Sequence, residues 1–268
     1  MNKVFTSLFK AALFGTVIAT VPFKSDAQVS ESLDRKAAGK NVSIWDRLEI
    51  SGGETFGNAS VNTYTRILDP VTNIRSGNTT GKSFSYRSVS GYAAVYFPLS
   101  YIGQNSMLAL NTGLYFTTNS WDLGNTSLDP NNIVNNTASE KYIGVPIGVD
   151  FIYGGEATFN KQNKVTLRGG VGAMPYFAMG KLEDGSEKYS KLGLQPYAKA
   201  ELGFFLGVEW KIRGMVAIGT RTLYDYHAGD YNLNESSYYV ANSFKVRSSY
   251  TIGLAVFPFS MHWENDKW

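Results

Sequence analysis

The chain has no cysteine, which excludes a disulfide scaffold, a thiolate zinc site, a cysteine nucleophile and a lipid-bearing cysteine together. Histidine is almost as scarce, so any His-based active site must use His227 or His262. Charge is thin, at 18% of the 268 residues, and a net +3 is too little for a nucleic-acid binder. Beyond the N-terminal segment no run of 18 apolar residues occurs, so no membrane-crossing helix is expected there. Glycine (27 residues) and aromatics (14%) are plentiful, without Gly-Pro periodicity or low complexity, which argues against collagen-like and disordered chains.

The first residues read as an address. Lys3 and Lys10 flank a basic start, Ala11 to Pro22 is apolar, and Ser25-Asp26-Ala27 places small residues at −3 and −1 relative to Gln28. That pattern predicts a signal peptide over 1–27, its apolar stretch being shorter than the ~20 residues a spanning helix needs. Cleavage would leave 22 basic and 21 acidic residues from the original 25 and 22, an exported and nearly neutral protein.

The rest of the chain alternates with period two, the signature of strands with two unlike faces. From Leu194 to Ile212 one face is wholly apolar while every charge falls on the other, and the segment is expected to be one strand. The same pattern recurs over 108–116, 142–153, 164–173 and 245–256, with weaker versions at 46–57, 83–98 and 214–226. Eight strands are expected. Four polar links (58–82, 120–138, 181–190, 227–243) alternate with three short ones (100–105, 154–163 and Arg213-Gly214). Strict alternation of long and short links is the layout of an antiparallel up-and-down transmembrane β-barrel with long external loops. The expected organisation is a short periplasmic segment 28–45, a barrel over 46–259 and a periplasmic tail 260–268. A soluble lipocalin-type barrel with apolar side chains inside is the alternative fold.

In hydrocarbon each unpaired backbone polar group costs several kcal/mol, so a spanning sheet must close on itself. The polar face would then point inward. The expected lumen charges are Arg47, Glu49, Arg87, Asp150, Arg168, Lys199, Glu201, Glu209, Arg221 and Arg247. An eight-stranded barrel is filled by its own side chains, and buried charges persist when paired, so a plugged, ion-paired interior is expected. Aromatic side chains favour membrane interfaces. Trp45 and Trp210 are assigned to the periplasmic rim, and Trp121, Tyr224 and Tyr226 to the external one. Pro146 and Pro175 fall inside expected strands and require bulges or broken pairing there.

Lys141-Tyr142-Ile143-Gly144-Val145-Pro146-Ile147-Gly148-Val149 resembles a recurrent strand of Bacteroidota outer-membrane β-barrel proteins of the PorT-like type. Gly207-Val208-Glu209-Trp210-Lys211-Ile212, taken as a strand end before a tight turn, is similar to another of their strands. The resemblance implies a non-enzymatic eight-stranded barrel of the bacterial outer membrane. Some relatives are similar to components of the type IX secretion and gliding machinery. The implied task is structural or partner-binding, through the external loops or the periplasmic rim, as a monomer or as a subunit of a larger complex in outer-membrane lipid.

Two alternatives are a narrow channel and a lipid A-modifying enzyme. For the enzyme, His227 would serve as base to Ser236, Ser237 or Ser243, oriented by Asp225, although no spacing sets that geometry. Asp122, Asp129 and the Asn-rich 131–136 stretch lack calcium-loop spacing. No metal, cofactor, catalytic residue or nucleic-acid partner is expected.

Overall fold

The computed structural model describes residues 43–68, 75–85, 87–102, 105–125, 135–159, 161, 164–182, 188–229 and 237–263. The expected signal peptide therefore lies outside the described residues. A 3-10 turn at Trp45–Arg47 leads into eleven strands. They are β1 (Leu48–Leu68), β2 (Arg75–Phe84), β3 (Arg87–Tyr101), β4 (Ser106–Asn125), β5 (Asn135–Gly144), β6 (Ile147–Gly154), β7 (Val165–Leu182), β8 (Lys188–Leu206), β9 (Val208–Ala217), β10 (Arg221–Gly229) and β11 (Ser237–Phe257). A single helical turn, α1 (Gly155–Thr158), follows β6.

The eleven strands make eight staves, because β2–β3, β5–β6 and β9–β10 are each one stave with a local break. Every ladder is antiparallel, and β1 pairs with β11 to close the ring. Among the described residues closure is complete only in the half that holds Leu48 and Phe257. There β1, β3, β4, β6, β7, β8, β9 and β11 pair in turn back to β1.

In the other half the strands part into two sheets. One sheet runs β2-β1-β11-β10 and the other β4-β5-β7-β8. Among the described residues no ladder joins β2 to β4 beyond Arg87–Ser120, or β8 to β10 beyond Pro196–Ile218.

The second seam has a cause in the sequence. Pro196 accepts the Ile218 N–H at 2.8 Å but has no N–H to return. Gly219 then takes φ +122°, a value that suits glycine, and carries β10 away from β8. At the break between β2 and β3, Ser85 keeps that stave joined to β1: its N–H donates to the Gly57 carbonyl, and its hydroxyl accepts from the Gly57 N–H. Pro146 lies in the break between β5 and β6, where the Val145 N–H donates to the Pro175 carbonyl at 2.9 Å.

Three sequence expectations are corrected here. Leu194–Ile212 is two strands: the chain turns at Gly207 (φ +80°), with Leu206 opposite Val208. This hairpin keeps parity, since Phe205 and Glu209 share one face and Leu206 and Val208 the other, so alternation runs through the turn unbroken. Arg213-Gly214 consequently lies inside β9, and Gly207–Ile212 opens a strand where it was expected to end one. The polar links also shrink, because β1, β2, β4, β5, β10 and β11 continue through much of them. Their outer positions there include Asn58, Ser60, Ser120 and Asp122, a composition that mimics a loop.

Candidate functional site: the lumen and its two ends

Alternation places one row of each strand inside the ring. In the closed half that row is ionic. Arg168 on β7 pairs with Asp150 on β6, reaches Glu156 at 2.9 Å and Glu49 at 3.2 Å, and lies over the Tyr96 ring at 5.2 Å. Lys199 on β8 meets Asp150 at 3.0 Å and Glu201 at 3.5 Å. Lys211 on β9 pairs with Glu156 and reaches Glu201 at 3.2 Å, while Arg213 pairs with Glu49 and donates to Glu201 at 2.8 Å.

Four cations thus interlock with Glu49, Asp150, Glu156 and Glu201, all buried. Such charges tolerate removal from water only when each is paired and hydrogen-bonded. Arg213 and Lys199 also face the Tyr92 ring, at 4.2 and 5.8 Å. The void beside Tyr92, Tyr115 and Arg213 measures about 10 Å³, room for roughly one water.

Above this network sits a smaller polar layer. Arg221 grips Glu140 with two bonds, 2.9 Å from Nε to Oε1 and 2.8 Å from Nη2 to Oε2. Asn119 donates to the same carboxylate at 3.2 Å, and the guanidinium lies 4.9 Å from the Tyr142 ring centre. Thr55, Tyr115 and Thr251 close a hydroxyl triangle with three 2.9 Å edges.

In the split half the interior becomes apolar. Ala59, Trp121, Ala138, Ala178, Leu223, Phe244 and Val246 are buried between the two sheets. Trp121 packs edge-on to Phe244 at 5.6 Å, and its indole N–H donates to the Gly57 carbonyl at 2.9 Å, tying β4 to β1 and β11.

The end that holds Trp45 and Trp263 is capped by the chain itself. After β11 a 3-10 turn (Ser260–His262) swings Trp263 into the mouth, 3% exposed, against Phe159, Phe205 and Phe257. Its indole donates to the Asp46 carbonyl at 3.3 Å. The Ser260 hydroxyl donates to the Phe257 carbonyl and accepts from the Glu209 N–H, both at 2.7 Å.

Of the ten charges assigned to the lumen, Glu49, Asp150, Arg168, Lys199, Glu201, Glu209 and Arg221 are buried. Arg47 sits half-buried at the capped mouth, 5.9 Å from the Phe159 ring centre. The Arg87 side chain lies outside the described residues. Arg247 is corrected: it is exposed on the outer face. A bulge between Val246 and Ser249, where β1 advances only from Gly57 to Ala59, flips β11 so that Val246 faces in and Arg247 out.

Sequence reasoning omitted Glu140, Glu156, Lys211 and Arg213 from the set. Lys211 was already on the charged face of its segment. Arg213 was taken for a turn, and Glu140 and Glu156 stood beside or inside expected links.

Among the aromatics, Trp45 is 59% exposed beside Phe259, and Trp210 is 39% exposed on the outer face. Trp121 is corrected: it is fully buried, because β4 continues past residue 120 and its odd positions face inward. The side chains of Tyr224, Tyr226, Asp225 and His227 lie outside the described residues, as does Ser236. Among the described residues no cluster of His, Asp and Glu is arranged to hold a metal ion.

No family model matches the chain, and no curated protein matches it. Among solved structures it is similar to the outer-membrane protease OmpT of Escherichia coli, at 11% identity, over 78% of this chain and 96% of that one, with a TM-score of 0.31. It is also similar to the outer-membrane protein OprG of Pseudomonas aeruginosa, at 10% identity, over 78% and 94%, with a TM-score of 0.35. A third is Ail, the attachment invasion locus protein of Yersinia pestis, at 12% identity, over 76% and 98%, with a TM-score of 0.26. Likeness at this level assigns no role to any residue here. It does correct the expectation of a non-enzymatic chain: a protease is among the barrels this chain is similar to, so the architecture is no ground for excluding catalysis.

Proposed function

We propose that the chain is a bacterial outer-membrane barrel, closed to diffusion, that holds a two-sheet head in the external water for contact with a partner. The observation that carries this reading is the change of polarity on the outer face. Around the closed half most outer positions are apolar: Ile147, Val149, Phe151, Leu167, Ile212, Ile252 and Leu254 are each 43–60% exposed, with Glu54, opposite Ile252, a charged exception. Around much of the split half they are Asn58, Thr118, Asp122, Lys141 and Arg247.

The backbone supports the same boundary independently. Hydrocarbon tolerates a sheet only where its edges are closed, and among the described residues the unpaired edges lie in the half that carries most of the polar outer residues. Strands of 18–21 residues exceed the ~9–11 that a tilted crossing requires, which leaves the remainder for the head. The PorT-like resemblance of Lys141–Val149 supports an envelope partner such as a secretion assembly. The ionic layers and the Trp263 cap speak against a conducting channel.

The test is direct. Expressed with its leader in a Gram-negative host, the protein should fractionate with outer membranes and migrate differently on gels before and after boiling. It should be cut by protease added outside intact cells while the closed half of the barrel stays protected, and stay silent in planar bilayers. Recovery as a detergent-free soluble protein would overturn the reading.

A further inference from the structure

One part of the head does not match its polar surroundings. On β8, beyond Pro196, the outer positions are Leu194 and Leu192, 67% and 58% exposed. Their register partners on β7 are Pro175 and Phe177. These side chains lie beside unpaired edges, where dry hydrocarbon cannot extend, yet they continue the oily face upward from Ala198 and Ala200.

Lys191 adds a second, independent observation. It shares the inward parity of Gly193 and Gln195, but the open seam leaves it exposed. Its ammonium crosses the gap and donates to the Thr222 carbonyl on the edge of β10 at 2.7 Å. One slot therefore has an apolar outer lip and a cation at its inner lip. Across β10, Lys245 stands opposite Thr222, and Arg247 is exposed two residues further along β11.

We propose that the seam between β8 and β10 binds a phosphorylated lipid of the external leaflet. Its acyl chain lies along Leu192, Leu194 and the 48%-exposed Ile218, and its phosphate takes the Lys191 ammonium from the Thr222 carbonyl. The site rests on the outer-membrane reading above. A lipid is favoured over a peptide because the apolar lip is continuous with the surface that lipid already covers, and because the basic side chains match an anionic head.

The experiment uses the full protein in mixed micelles offered phosphatidylglycerol or phosphatidylcholine, read by native mass spectrometry. Wild type should retain phosphatidylglycerol about five-fold over phosphatidylcholine, the scale of one basic residue at an anionic surface. Lys191→Gln should abolish that preference, Lys191→Arg should keep it, and Leu194→Ser should lower retention of both lipids. Equal retention of the two lipids by wild type, or an unaltered preference in Lys191→Gln, overturns the site while leaving the barrel reading intact. A photo-crosslinking residue at position 192 that captures protein and no lipid in cells overturns it as well. Failure of wild type to enter membranes at all would instead sink the underlying reading.

Discussion

In the closed half, Ile147, Val149 and Phe151 face out and Asp150 faces in; in the split half, Lys141 faces out and Ala138 and Trp121 face in. Polarity is inverted along the same staves. The closed half is mostly oily outside and ionic within, and the split half, beyond the Arg221–Glu140 pair, has an apolar interior and a largely polar outer face. β11 shows how one strand serves both. Its even-numbered residues Phe244 and Val246, and after Ser248 Tyr250, Ile252 and Leu254, are apolar, but the bulge at 247–248 turns the first two into a core and leaves the last three outside. The lesson is that solvent decides what a strand face must be. A single extra residue lets a continuous pattern meet two solvents.

This contrast can be broken or sharpened by substitution. The largest effect is expected at the closing pair: a Cβ at Gly53 would overlap the Ile252 carbonyl and the Gly253 backbone, so Gly53→Val should abolish ring closure. Loss of the heat-sensitive gel shift reads it, with Gly207→Asn, at a turn open to space, as a milder control. Next is the ionic interior. Arg168→Met leaves Asp150, Glu49 and Glu156 short of a buried partner and should destabilise by about 3–5 kcal/mol. Urea unfolding in lipid vesicles measures this, and a loss under 1 kcal/mol would refute the network.

A charge scan of the outer face comes third. Leu167→Arg in the oily belt should cost about 2–4 kcal/mol, whereas Asn58→Arg in the head should cost under about 1 kcal/mol. Equal costs would erase the boundary drawn from the seams. The smallest effect is expected at Gly219, whose φ of +122° disfavours a Cβ. Gly219→Ala should cost about 1–3 kcal/mol and speed hydrogen exchange in β10 more than in β9.

How much was legible follows from what alternation can carry. Ile143 to Tyr153, Leu108 to Phe116 and Val165 to Ala173 were placed on the correct face by parity alone, and with them the inward positions of Asp150 and Arg168. Parity is blind to a hairpin that preserves it, which is why Gly207 passed as mid-strand and Arg213 as a turn. Composition was misleading where strands leave the apolar belt: Ser60, Ser120 and Asp122 are strand residues facing outward at the head, yet they read as loop. Trp121 was misassigned for the same reason, since a strand thought to end at residue 119 has no inward position 121. The inversion on β11 needed the partner strand, because a bulge exists only as a mismatch between two registers.

The sequence by itself determined an all-β chain of two-faced strands, because period-two alternation depends only on the geometry of an extended backbone. It also determined that charge would gather on one face of most strands. Only the tertiary structure decided which charges meet, where the ring stops closing, and that Trp263 returns to cover the mouth. Those outcomes depend on pairing between residues up to 217 positions apart, such as Trp263 with Asp46, and on backbone groups of Pro196 and Gly219 whose effect appears only against a neighbouring strand.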